Sequence, residues 1–240
     1  MGAFKVQQKI NISLVSYGLY KSQINIKFLM NWESKYFKIS NYTQIKNIAE
    51  PTGSRWEYTD KDIEKHLVHT TGDITIALTD ITLEYNYYLR RIHDNVCILS
   101  TKDMAEIMFE NNYAIEHFIL RNIYPLIISF YAIKSVKPLH SWSHVVIKGC
   151  FFDKNAYKTD ILFSMDRPIV CEECSYRILD KPMPLGFLED IQKEYRKLKR
   201  PLYYRINRYV KNNLAASIAI IAFSTIILNI ISNIATEYIK

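Results

Sequence analysis

Apolar and polar residues alternate through residues 8–17 and again through 23–30, on either side of a turn-like stretch at 18–22, and this period of two predicts a strand pair. Residues 40–72 are polar and hold Pro51, Gly53 and Ser54. They predict a connector followed by a short helix over 60–69, where Ile63, Leu67 and Val68 fall at helical spacing. Residues 73–80 and 95–101 are short apolar runs rich in β-branched residues, which predicts two buried strands side by side in one sheet. From 114 to 131 the apolar positions Ile115, Phe118, Ile119, Ile123, Leu126, Ile127 and Phe130 recur with a helical period around Pro125, so a core helix packs on that sheet.

A second pattern lies near the C-terminus. Residues 214–234 are twenty-one in a row without a charge. At 1.5 Å per residue such a helix covers a hydrocarbon core of about 30 Å, so the run predicts a single transmembrane anchor. Before it stands a basic run over 191–213, with Lys193, Arg196, Lys197, Lys199, Arg200, Arg205, Arg208 and Lys211. Positive residues flanking a span stay cytoplasmic, which places the N-terminal domain in the cytosol. The same residues would contact anionic membrane lipids, each adding about 1 kcal/mol near the surface. The run accounts for most of the net charge of +7, so nucleic acid is not needed as a partner. Thr225, Asn229 and Asn233 form an i, i+4, i+8 polar stripe, which is either a face through which such helices form a homo-oligomer or a consequence of the last two residues lying near the membrane interface. The N-terminus has no signal-peptide core, and Val6 breaks the myristoylation pattern.

The candidate chemistry is in the cysteines. The chain has four, and three of them form a spaced group: Cys150, then Cys171 and Cys174 as a Cys-x-x-Cys pair. A reducing compartment disfavours disulfides, so clustered thiols there are metal ligands, and structural zinc requires a fourth donor. His144 is the nearest histidine and His140 the next. Cys97, alone inside an apolar strand, reads as a small buried hydrophobe. His140 and His144 have the i, i+4 spacing of a catalytic zinc helix, but Ser141 stands where a glutamate general base belongs. With only six glycines, the chain holds no phosphate loop, dinucleotide fingerprint or Gly-x-Ser-x-Gly elbow. No catalytic or cofactor-binding residue is assigned.

With these residues in place, the order of elements resembles the archaemetzincin-type zinc metallopeptidases. Residues 75–80 and 96–100 are similar to that family's two strand motifs, and Cys150, Lys158, Cys171 and Cys174 to the end of its zinc finger. Aligning Cys150 with the second finger cysteine puts Lys134, Ser135 and Pro138 where the family has its first histidine, glutamate and second histidine, and Val145 where the first finger cysteine stands. The resemblance therefore implies a metzincin-like relative that keeps a structural zinc and has lost the catalytic one.

The expected fold class is α+β: a metzincin-like mixed sheet with a core helix, a small zinc-finger loop and one C-terminal transmembrane helix. The domain over 1–190 carries the finger at 144–179, with Cys150, Cys171, Cys174 and His144 as zinc ligands. The expected function is a membrane-anchored, non-catalytic zinc-binding module acting as scaffold, sensor or effector. One competing reading is a tethered peptidase with an atypical site at His117, His140, His144 and Glu116. The other is an oligomerising transmembrane effector.

Overall fold

The computed structural model describes residues 8–18, 24–45, 50–53, 56–68, 70–137, 142–145, 147–166, 168–198, 206, 209–210 and 213–239. Its contacts divide the chain into two compact units, Met1–Leu198 and Lys199–Lys240.

The first unit is built on a five-stranded mixed sheet of order β2-β1-β3-β5-β4. Its strands are β1 (Ile10–Tyr17), β2 (Phe37–Ile45), β3 (Ile74–Thr79), β4 (Leu89–His93) and β5 (Val96–Ser100). β1 pairs in parallel with β2 and with β3, and β3 in parallel with β5; only β4 runs antiparallel, along the free side of β5. Parallel neighbours need crossover connections, so the sheet is of mixed α/β character rather than the expected α+β arrangement.

Both faces of the sheet are covered, as a mostly parallel sheet requires. Because side chains alternate across a strand, Ile12, Leu14, Ile76, Leu78, Cys97 and Leu99 enter the main core, while Val15, Tyr17, Ala77 and Ile98 join a smaller cluster with Ile63 and Leu83 on the opposite face. The main core is closed by α4 (Ile115–Ile133), whose buried residues include Phe118, Ile119, Ile123, Leu126 and Ile127. Pro125 lies inside this helix and withholds one N–H from its ladder without ending it.

The two strands predicted over 73–80 and 95–101 form and are direct neighbours. The strand pair predicted over 8–17 and 23–30 does not. Residues Ile26–Met30 are instead the short helix α1, capped by Asn25, whose side chain accepts from the Phe28 N–H at 2.9 Å. Ile26 and Leu29, three apart, both face the core, and helical spacing overrides the short alternation. The partner of β1 is β2, in a stretch that the sequence suggested was mainly connector. Helix α2 (Asp60–Glu64) starts at Thr59, and Asp62 completes a capping box with it.

Among the described residues, four further α-helices belong to the first unit: α3 (Met104–Glu110), α5 (Ile161–Asp166), α6 (Glu172–Leu179) and α7 (Phe187–Tyr195). On α7, Phe187, Ile191 and Tyr195 are buried in the main core. Of the basic run, Lys193, Arg196 and Lys197 are described, whereas Lys199, Arg200, Arg205, Arg208 and Lys211 lie outside the described residues.

The expected transmembrane anchor and the single-pass membrane location are corrected. Residues Leu214–Ile239 do form one helix, α8, of 26 residues. Among the described residues, however, no helix is long and apolar enough to cross a membrane. The Ser217 hydroxyl turns back to the Asn213 carbonyl at 2.9 Å, and the Asn233 side chain lies outside the described residues.

Candidate metal centre

Two short backbone pairings bring the cysteines and His144 together. The His144 N–H donates to the Phe152 carbonyl at 3.4 Å and the Lys154 N–H to the His144 carbonyl at 2.9 Å, so His144 runs beside the segment that follows Cys150. Gly149, at φ 95°, takes a left-handed conformation that lets the chain turn into Cys150. Its carbonyl accepts from the Ile169 N–H at 3.1 Å, and the Phe151 N–H donates to the Ile169 carbonyl at 2.9 Å. This pairing sets Cys150 beside the chain just ahead of Cys171.

Cys171 is the N-cap residue of α6, and Cys174 lies in its first turn. A Cys-x-x-Cys at a helix start places both sulfurs at the end where unpaired N–H groups and the helix dipole favour a thiolate.

The result is a group of four donor atoms, from His144, Cys150, Cys171 and Cys174, all within 4.8 Å of one another. Tetrahedral zinc with Zn–S near 2.3 Å requires sulfurs about 3.8 Å apart, so the group needs only a small contraction to close on an ion. All three thiols are buried and none is in a disulfide. His144 Nε2 lies 3.5 Å from Cys171 Sγ. Three thiols and an imidazole are a donor set that supports zinc.

The electrostatics favour anionic sulfur at one position. Cys150 Sγ accepts the N–H groups of Phe152 and Cys171, each at 3.5 Å. Its pKa is lowered to about 5, chiefly by the hydrogen bond from Cys174, with those backbone N–H groups adding to it against the opposing effect of burial. Cys174 moves the other way. Its hydrogen bond to Cys150 and its burial raise it, because two adjacent thiols cannot both ionise without a cation between them. A divalent ion removes that conflict.

The other residues singled out by sequence lie elsewhere. Cys97 is buried in β5, and burial pushes its thiol up to about 12. His117, on α4, packs against Phe28 and Tyr113, and burial lowers its pKa. Glu116 accepts the Asn25 N–H. Neither belongs to the four-donor group. Lys134 caps the end of α4, and Ser135 donates to Asp94 at 3.0 Å. His140, Ser141 and Pro138 lie outside the described residues.

Sequence reasoning missed a set of buried polar residues beside the cluster. Arg121 and Asn122 on α4 are 2% and 1% exposed, and Asn155 is 7% exposed. With Arg91 of β4 they line a cavity of about 610 Å³, whose opposite wall is the segment 152–158 that follows Cys150. Arg121 Nη2 donates to the Cys150 carbonyl at 3.3 Å and so ties the two regions together. The available signal was an Arg-Asn pair inside an otherwise apolar helix.

No protein-family model matches the chain, and no curated protein does. Among solved structures, an archaemetzincin from Methanopyrus kandleri is similar at a TM-score of 0.44 and 10% identity, over 72% of this chain and 94% of that one. At that identity and score the similarity establishes neither family nor activity.

Proposed function

We propose that this protein is a non-catalytic zinc-binding module in which His144, Cys150, Cys171 and Cys174 hold one structural zinc ion. The observation that carries the reading is the convergence of four protein donors within 4.8 Å, three of them buried thiols. Four protein ligands fill a tetrahedral ion, whereas a hydrolytic zinc keeps one position open for water. The ordered cysteines that resemble an archaemetzincin finger are the ones that gather, which supports a finger retained in a relative without the catalytic motif.

The role of the ion is to close the segment from His144 to Cys174 onto α4 and the sheet, making that segment a scaffold or docking surface. Structural zinc contributes apparent binding energies of about 10–16 kcal/mol in small zinc modules, ample to hold a loop of this kind.

The test is metal analysis of the purified protein. One zinc per chain is expected, lost in Cys171→Ser and Cys174→Ser and retained in Cys97→Ala. Absence of bound metal from protein purified without chelator and resupplied with zinc refutes the reading.

A further inference from the structure

The cavity between β4, α4 and the segment 152–158 holds more positive charge than its walls neutralise. Arg121 is 2% exposed, yet its guanidinium bonds only to neutral groups: Ser164 Oγ at 2.8 Å, Asn122 Oδ1 at 3.4 Å and the Cys150 carbonyl at 3.3 Å. Arg91 is half-buried, and its enclosed Nε has no hydrogen-bond partner. Burial holds Arg91 below the ordinary guanidinium range, and Arg121 lines the same cavity. Two such groups in an enclosed site are costly unless an anion lies between them.

The rest of the wall sharpens this. Arg90 is paired with Asp60 and Glu84, and Lys158 with Asp103. Lys154, like Arg91 and Arg121, has no carboxylate at ion-pair distance among the described residues. Against these three stands one unpaired acid on the wall, Asp153. The three unpaired cations exceed it by two, and with Asp60 and Glu84 together outweighing Arg90 by one, the wall and its partners keep a net surplus of one positive charge. A phosphate monoester carries about −1.5 to −2 at neutral pH, and two guanidinium forks without carboxylate partners match its several oxygens better than they match a single carboxylate.

A third feature points to the same ligand. Asn155 is held by its Nδ2, which donates to the Tyr88 hydroxyl at 2.7 Å, while its buried Oδ1 accepts nothing. An acceptor fixed in this way beside two guanidiniums suits a ligand with its own hydroxyl. The volume, about 610 Å³, lies in the range of small-molecule sites and is far larger than a bare phosphate requires. The exposed rings of Tyr85 and Tyr157 at its rim offer an apolar surface to the remainder of such a molecule.

We propose that this cavity binds a phosphate-bearing small molecule, with Arg91 and Arg121 on the phosphoryl oxygens and Asn155 accepting a hydrogen bond from the ligand. The site is separate from the metal ligands and stands whether or not zinc fills them.

The experiment is calorimetric titration of the full-length protein with inorganic phosphate, phenyl phosphate and benzoate at constant ionic strength, with zinc content measured on each sample. Both phosphate probes are expected to bind one to one, phenyl phosphate more tightly, and benzoate at least tenfold more weakly than phenyl phosphate. Arg91→Gln should weaken phosphate binding at least tenfold with the melting temperature kept. Lys154→Glu changes an exposed side chain and should weaken it several-fold, which decides the matter should Arg91→Gln fail to fold. The proposal is overturned by absence of heat with either phosphate probe at millimolar concentration, by benzoate matching phenyl phosphate, or by unchanged affinity in the folded variants. Phosphate binding by protein free of zinc supports this site by itself, and the zinc reading stands or falls separately on metal content after resupply with zinc.

Discussion

Chelation and Cys174→Ser should remove the same stabilisation, and that equivalence tests the metal centre more sharply than either alone. An ion that binds only the folded chain stabilises it by RT ln(1 + [L]/Kd), which is about 4 kcal/mol at a thousandfold excess over Kd. For a unit the size of Met1–Leu198, each kcal/mol shifts the melting temperature by about 2–4 °C, so removal of zinc should lower it by about 8–16 °C. In Cys174→Ser the new hydroxyl is placed to keep the hydrogen bond that Cys174 Sγ makes to the Trp142 carbonyl at 3.4 Å. The substitution alone therefore disturbs the metal-free protein little. Differential scanning fluorimetry of both proteins with and without chelator should show a large drop for the wild type, and the variant already at the lower temperature and unmoved by chelator. A wild type that chelator does not shift, or a variant that shifts by the same amount, would falsify the argument.

Cys97→Ala should keep both the zinc and the chelator response, since this thiol lies in the sheet core away from the four donors; in native protein, mass spectrometry after alkylation should find Cys97 unmodified, because burial holds it protonated up to about 12. Asp62 accepts hydrogen bonds from Thr52 and Thr59, which hold its carboxyl well below the usual range. A depressed folded pKa means stability that is complete above the unfolded value near 3.8 and is lost as pH falls through the lower folded value. Acid titration followed by circular dichroism should therefore show a shallower loss of stability below pH 4 in Asp62→Asn than in the wild type, and identical slopes would refute the assignment. Thr59→Ala, which removes the other half of that capping box, should destabilise the protein by about 1 kcal/mol in urea unfolding.

Strands β3 and β5 were legible in the sequence as short apolar runs rich in β-branched residues, and helix α4 by a long helical period. β3 and β5 are buried at every position, and α4 buries fourteen of its nineteen residues. The elements at the sheet's other side were not. α1 is five residues long, too short for alternation and helical spacing to be told apart, and the choice is made by Asn25 as a cap and by the core that receives Leu29. β2 pairs with β1 across a register shift between Ile12 and Ser13, which sequence gives no means to foresee. The cysteine group was legible because metal-ligand spacing is a local pattern, while its fourth member depends on a tertiary pairing between His144 and Asp153. The C-terminal span was expected from the length of an uncharged run behind a basic flank, and among the described residues no helix is long and apolar enough to form it.

The polar residues of α4 show why a helix so apolar keeps an arginine in its middle. Replacing Arg121 by leucine would suit the core's composition, yet Arg121 joins Ser164 on α5 to the carbonyl of Cys150. Those bonds fix the stretch inside the metal loop that leads from Cys150 into the cavity wall. Their net contribution is about 1.5–3 kcal/mol each for a charged donor, which is set against the several kcal/mol needed to hold a guanidinium out of water without a counter-ion. The balance becomes favourable when an anion enters beside Arg91, or when the metal holds the loop so firmly that the bonds form without further ordering. The charge in α4 is therefore best explained by what the neighbouring sites bind, since the apolar core alone gives no reason for it.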